Sequence, residues 1–112
     1  METENLLDVI IETAKNIKAF NIKKYDLREL QTYTEYAIII SVSNDRQAKA
    51  LSENIRFAMK QRKILPLGIE GEGQSWVLMD YDEVIVHIFE DSQRIFYDLE
   101  RLWKDLPHES IK

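Results

Sequence analysis

Apolar residues recur along the chain with two different periods. Leu6, Leu7, Ile10, Ile11, Ala14 and Ile17 fall at the spacing of one helical face, and Thr3 offers a cap ahead of them. A helix is predicted over about residues 4–19. Tyr25 and Leu27 then alternate with Asp26 and Arg28, the pattern of a short strand. The run from Tyr36 to Val42 is β-branched and apolar on both alternating faces. Such a run fits a central strand covered on two sides. Ser43, Asn44 and Asp45 supply a turn and a cap for a second helix, predicted over about 46–63. Its buried face would carry Ala48, Leu51, Ile55, Ala58 and Met59.

Leu65–Ile69 reads as an edge strand, because Pro66 cannot donate to a ladder. Glu70–Ser75, with two glycines, reads as a loop. Trp76–Asp80 and Val84–Phe89 read as strands joined by a turn at Tyr81, Asp82 and Glu83. A last helix is predicted over about 93–105, capped by Asp91 or Ser92 and stopped by Pro107. In a continuous helix, Ile95, Phe96, Leu99, Leu102, Trp103 and Leu106 share one arc, leaving Tyr97 opposite with Glu100, Arg101 and Lys104. Residues 107–112 are expected to fray as a tail to a single domain over 1–106. The fold class is therefore α/β in an α+β layered arrangement: a mixed sheet of about five strands with three helices packed on it. The strand–helix–strand unit around the second helix predicts a parallel crossover, and the remaining neighbours are hairpins.

Composition narrows the functions. The 112 residues contain no cysteine, which excludes disulfides, thiolate metal sites and a cysteine nucleophile. No apolar run approaches the ~18 residues of a membrane span. The acidic start, Met-Glu-Thr-Glu, lacks the blocks of a signal peptide, so a cytoplasmic location is expected. The net charge of −5 is unevenly placed. Residues 1–63 carry nine acids and eleven bases; residues 64–112 carry eleven acids and four bases. That balance disfavours a general nucleic-acid binder and suits a basic partner for the second half.

The chemical motifs are sparse. Asp80 and Asp82 could share a divalent metal in a nucleotidyl or phosphoryl transferase, but a hairpin turn explains the same pair. His87 stands among apolar neighbours without a nucleophile partner, and a structural role is the commoner explanation. No nucleophile elbow or glycine-rich phosphate loop is present, and no cofactor is expected. Lys49, Arg56, Lys60 and Lys63 form a basic stripe on the second helix. It fits a solvated face, or a contact to RNA close to a docking site, and has no interleaved aromatics for stacking. The aromatics say more. Trp76, Leu78 and Asp80 share one strand face, and Val77, Met79 and Tyr81 share the other. If helices cover only one face, Trp76 and Leu78 form an exposed apolar patch, and Tyr97 on a polar helix face adds a contact residue. A binding module is favoured over an enzyme. The same faces could pair two free copies as a homodimer.

The segments Trp76–Asp80, Val84–Phe89 and Arg94-x-x-Tyr97-Asp-Leu-Glu-Arg-Leu-Trp103 resemble the signature of the ribosomal silencing factor (Iojap-like) family. Glu35–Ile39, Ser41–Gln47 and Glu70-Gly71 fit the same pattern, so the resemblance spans about residues 5–105. It implies a non-enzymatic factor with a nucleotidyltransferase-like outline but no catalytic residues. Such factors bind the large ribosomal subunit through the universal large-subunit protein numbered fourteen, block joining of the small subunit, and damp translation when nutrients or energy are short. It further implies that Trp76, Leu78, Asp80, Tyr97, Asp98 and Glu100 lie on or near the docking face. The chain departs from the pattern at Glu35, at Ala37 and at Val42, where glycine is usual. Val42 resists positive φ, which predicts a differently shaped Ser41–Asp45 loop.

Overall fold

A computed structural model describes residues 3–72 and 74–112. Met1, Glu2 and Gly73 lie outside it, and with them the start of the acidic N-terminus and the second loop glycine. The elements in chain order are α1 (Thr3–Asn16), β1 (Phe20–Asp26), β2 (Tyr36–Val42), α2 (Asp45–Lys60), β3 (Gly68–Glu70), β4 (Trp76–Asp80), β5 (Val84–Glu90), α3 (Asp91–Tyr97) and β6 (His108–Ile111). Short 3₁₀ turns occupy Arg28–Leu30 and Leu99–Trp103. The six strands form one mixed sheet in the order β3-β4-β5-β2-β1-β6.

β2 is the axis of the sheet. It runs parallel to β5 in full register, from Tyr36 opposite Val84 to Val42 opposite Glu90. Every residue of β2 is buried, as its two-faced apolar run predicts. The crossover through α2 does not return the chain beside β2. It delivers β3 to the sheet's outer edge, and the antiparallel hairpins β3-β4 and β4-β5 fold back to fill the gap.

Alternation along the strands divides the core in two. Tyr36, Ile38, Ile40, Val42, Val77, Met79, Val84, Val86 and Ile88 pack with α1 and α2 in the larger cluster. Tyr25, Leu27, Ala37, Ile39 and Phe89 form a smaller one on the opposite face, with Trp76, Leu99, Trp103 and Leu106 packed against it. Asn44 caps α2: its side chain accepts from the Gln47 amide at 2.8 Å, and the Gln47 side chain accepts in turn from the Ser43 amide at 2.7 Å. Val42 is an ordinary strand residue with no positive φ, so this capped turn starts without a glycine.

Three local expectations need correction. Thr3 does not cap α1. It is the first helical residue, and its hydroxyl donates to Glu83 Oε2 at 2.6 Å, tying α1 to the β4-β5 turn. The last helix is not continuous. α3 starts earlier, at Asp91, with no side-chain cap, and stops at Tyr97, where Asp98 takes a left-handed conformation at φ 47°. The chain resumes as a 3₁₀ turn on a rotated face, so Ile95, Phe96 and Leu102 are exposed rather than core. Finally, residues 108–111 do not fray. They pair antiparallel with β1, from Ile111 opposite Ile22 to His108 opposite Tyr25.

Candidate functional site

The two sheet faces are covered unequally. α1 and α2 cover one. On the other, α3 and the following 3₁₀ turn lie over β1, β2 and the end of β5, leaving the β3-β4 side half open. Trp76, Leu78 and Asp80 point to this open side from β4, opposite Phe89, His87 and Ile85 of β5. All three are half-buried.

Trp76 is held on several sides. Its indole Nε1 donates to His87 Nδ1 at 3.1 Å. Its ring stacks on Phe89 at 4.9 Å between centroids, and Tyr97 approaches at 4.7 Å. The acceptor role of Nδ1 requires a neutral ring protonated on Nε2. Burial enforces this, pushing the His87 pKa down from 6.5 to about 4. The structural role expected for His87 is therefore concrete: it orients the tryptophan. Beside Trp76 and Leu78 lies a shallow hollow of about 270 Å³ completed by Glu70 and Gly71. Gly71 has φ +81°, and a Cβ there would lie 2.0 Å from the Trp76 carbonyl oxygen. Only glycine fits that close approach.

Tyr97 ends α3 and is 49 % exposed, so it does not stand apart from the sheet as a continuous helix would have it. Asp98 is exposed at the break. Asp80 lies at the far end of β4, where its Oδ1 accepts the Asp82 amide at 2.8 Å. Asp82 sits in the two-residue hairpin turn at φ 69°. The Asp80–Asp82 pair is thus accounted for as turn chemistry. Among the described residues, no group of three or more His, Asp or Glu side chains gathers in a way that could hold a metal ion.

Glu100 is turned inward. Its Oε1 accepts from Arg94 Nε at 2.7 Å, and its Oε2 accepts from the Tyr25 hydroxyl. Burial alone would raise its pKa, but these two bonds outweigh burial and hold the carboxyl below the usual range. Tyr25 is raised in turn by burial and by that carboxylate. Arg94 Nη1 donates to Ser41 Oγ at 2.9 Å and to the Asn21 carbonyl. Asn21, at φ 50° within an irregularity of the β1-β2 register, presents that carbonyl. Arg94 therefore joins β1, β2 and the 3₁₀ turn across the Asp98 break. It stands in the motif Arg94-x-x-Tyr97, but its partners are distant in sequence and its role was not legible there.

The basic stripe lies elsewhere. Lys49, Arg56 and Lys60 are exposed on α2, which packs on the sheet face opposite Trp76. Arg56 approaches Glu72 at 4.0 Å, and Lys63 follows the helix at a positive φ, off the helical line.

A family model described as "Ribosomal silencing factor during starvation" matches residues 1–112. The chain belongs to the ribosomal silencing factor family. A relative named "Ribosomal silencing factor RsfS" from Chromobacterium violaceum is 32% identical over 104 residues, covering 92% of this chain and 85% of that protein. The chloroplastic protein Iojap of Zea mays is 34% identical over 95 residues, which cover 84% of this chain but 41% of that longer protein. A crystal structure of a Chromobacterium violaceum protein superposes with a TM-score of 0.88 at 29% identity, covering 100% of this chain and 94% of that one. In family terms the chain is a translational regulator associated with the ribosome. Among the described residues, no helix is long and apolar enough to cross a membrane.

Proposed function

We propose that the protein docks on the large ribosomal subunit with the half-open sheet face and, by occupying that surface, keeps the small subunit from joining. The partner is the universal large-subunit protein numbered fourteen, and the setting is the cytoplasm under nutrient or energy limitation. The family membership supports the first part of this reading. The observation that carries the rest is the apolar strip of Trp76, Leu78 and Tyr97, rimmed by Asp80 and Asp98, on the uncovered half of the sheet. Aromatic and aliphatic anchors beside carboxylates suit a basic protein surface. Glu100 would serve indirectly, by holding the segment that presents Tyr97 and Asp98. The task is steric and asks for no catalytic step, so the protein is not an enzyme in this reading. A minor ribosomal RNA contact through Lys49, Arg56, Lys60 and Lys63 would have to come from the other side of the molecule. Pairing of the apolar strips would give a homodimer that opens before docking.

Co-sedimentation with purified large subunits, followed by subunit joining monitored by light scattering, tests the proposal. The protein should co-sediment and slow joining, and Trp76→Glu or Leu78→Glu should abolish both. Near-UV circular dichroism of each variant separates lost docking from lost folding, and the Leu78 variant leaves the Trp76–His87 bond in place. Protein at saturation that neither co-sediments nor slows joining would overturn the reading.

A further inference from the structure

The break at Asp98 creates a second apolar surface, which adjoins the strip around Trp76 at Tyr97 and Asp98. Ile95 and Phe96 are 77% exposed and Leu102 is 74% exposed, all on the outer side of a segment whose inner side packs on the sheet. Three large apolar side chains left to water within eight residues are a pattern that commonly marks an interaction site. They are not spread on a convex surface. α3 and the 3₁₀ turn meet as an elbow, and the elbow borders an open cleft of about 760 Å³. Ile95, Phe96, Tyr97, Leu99 and Leu102 line it, with Arg101 and Lys104 beside them.

The charges at this cleft oppose the trend of their surroundings. Residues 64–112 contain only four bases among eleven acids. Of these four, Arg94 is consumed by Glu100 in an ion pair, and Lys112 closes the chain. The remaining two, Arg101 and Lys104, both stand at the elbow. Neither side chain has an ion pair or hydrogen bond among the described residues, although Asp98 and Asp105 are neighbours in sequence. Asp98 also lines the cleft, so the lining carries two cations against one anion.

We propose that this elbow binds a short acidic amphipathic protein segment, with leucine-like side chains in the cleft and carboxylates on Arg101 and Lys104. Recognition would be of the helix-in-groove kind, with apolar anchors spaced three or four residues apart. A nucleic acid would also meet two cations, and Phe96 and Tyr97 could stack a base, but Ile95, Leu99 and Leu102 make most of the apolar lining aliphatic, which suits leucine-like side chains better than base planes. In a symmetric pair, a second copy would bring its own Arg101 and Lys104 against these two cations. The molecule would then present two adjoining surfaces of opposite demand: an acid-rimmed strip for a basic partner and a base-rimmed elbow for an acidic one.

The probe is a fluorescein-labelled helical peptide about four turns long, with leucines at alternating three- and four-residue spacing and glutamates elsewhere. Fluorescence anisotropy with the full chain should show saturable binding that weakens as salt rises. Ile95→Ser with Leu102→Ser, and separately Arg101→Glu with Lys104→Glu, should each weaken binding by about tenfold or more. These positions are exposed, so the variants should keep the parent's thermal midpoint. Leu78→Glu, on β4 and outside the cleft lining, should bind the peptide as the parent does, which separates this proposal from the ribosome-docking reading. Equal binding of a lysine-for-glutamate version of the peptide, or indifference to the Leu102 variant, would overturn the proposal. So would tighter binding of a uridine-rich RNA oligonucleotide, or a dimer in sedimentation velocity that the Leu102 variant abolishes.

Discussion

At Trp76, strand alternation and burial come apart. Period-two alternation puts Trp76, Leu78 and Asp80 on one face, and the structure has them there. Alternation carries no information on depth, and Trp76 turns out to be half-buried, its indole nitrogen spent on His87 and one ring face on Phe89. Two predictions belong here. His87 has a folded pKa of about 4 against 6.5 when unfolded, because burial disfavours the charged ring. The unfolded chain therefore binds the extra proton first, and stability should fall as pH drops from about 6.5 toward 4, by a total on the order of 3 kcal/mol. Thermal unfolding across this range checks it, and His87→Gln should flatten the profile. The second concerns Gly71, whose left-handed φ and close approach to the Trp76 carbonyl exclude any side chain. Gly71→Ala should cost about 2 kcal/mol or more in denaturant unfolding and weaken co-sedimentation, since β4 must shift to make room.

Helix periodicity misleads most at the last helix. Six apolar residues of the 95–106 segment fit one helical arc, and no glycine or proline interrupts 91–106. The break has a tertiary cause. Arg94 is drawn to Asn21 and Ser41, and Glu100 to Tyr25 and Arg94. A straight helix could not satisfy these partners while Leu99 and Trp103 reach the smaller core. Asp98 accepts the left-handed turn at modest cost, because aspartate tolerates that region better than most residues. Arg94→Ala should destabilise the protein by about 2–3 kcal/mol, because it leaves a partly buried carboxylate without its cation. A double-mutant cycle with Glu100→Gln should show coupling between the two positions. Hydrogen exchange should rise over residues 94–103 before the rest of the chain. Exchange unchanged in that segment would count against the Arg94 tie.

The whole molecule depends on a non-local pairing at one edge of the sheet, where β6 joins β1. β6 is short and largely exposed, and its sequence, His-Glu-Ser-Ile, carries no clear strand pattern. It forms because β1 presents an open edge, because Ile111 reaches the larger core, and because His108 packs on Tyr25. Truncation after Pro107 should lower the thermal midpoint by several degrees, corresponding to about 1–2 kcal/mol. It should also promote self-association through the uncovered β1 edge, visible in sedimentation velocity. An unchanged midpoint would mean that β6 adds nothing.

By itself the sequence determined the order and type of the central elements. β2 and β4 have the bounds their patterns predict, and α2 and β5 differ by only a few residues. It also determined which residues share a strand face, that the C-terminal half is acidic, and, through its motifs, the family. These are properties of local periodicity and composition, readable without knowing what packs where. Tertiary structure alone decided that α2 delivers β3 to the far edge, that the tail closes the sheet, and that α3 ends at Asp98. It also decided that Glu100 faces inward while Ile95, Phe96 and Leu102 face water. Each of these depends on partners tens of residues away, and the free energy of such contacts overrides a local helical preference of a few tenths of a kcal/mol per residue.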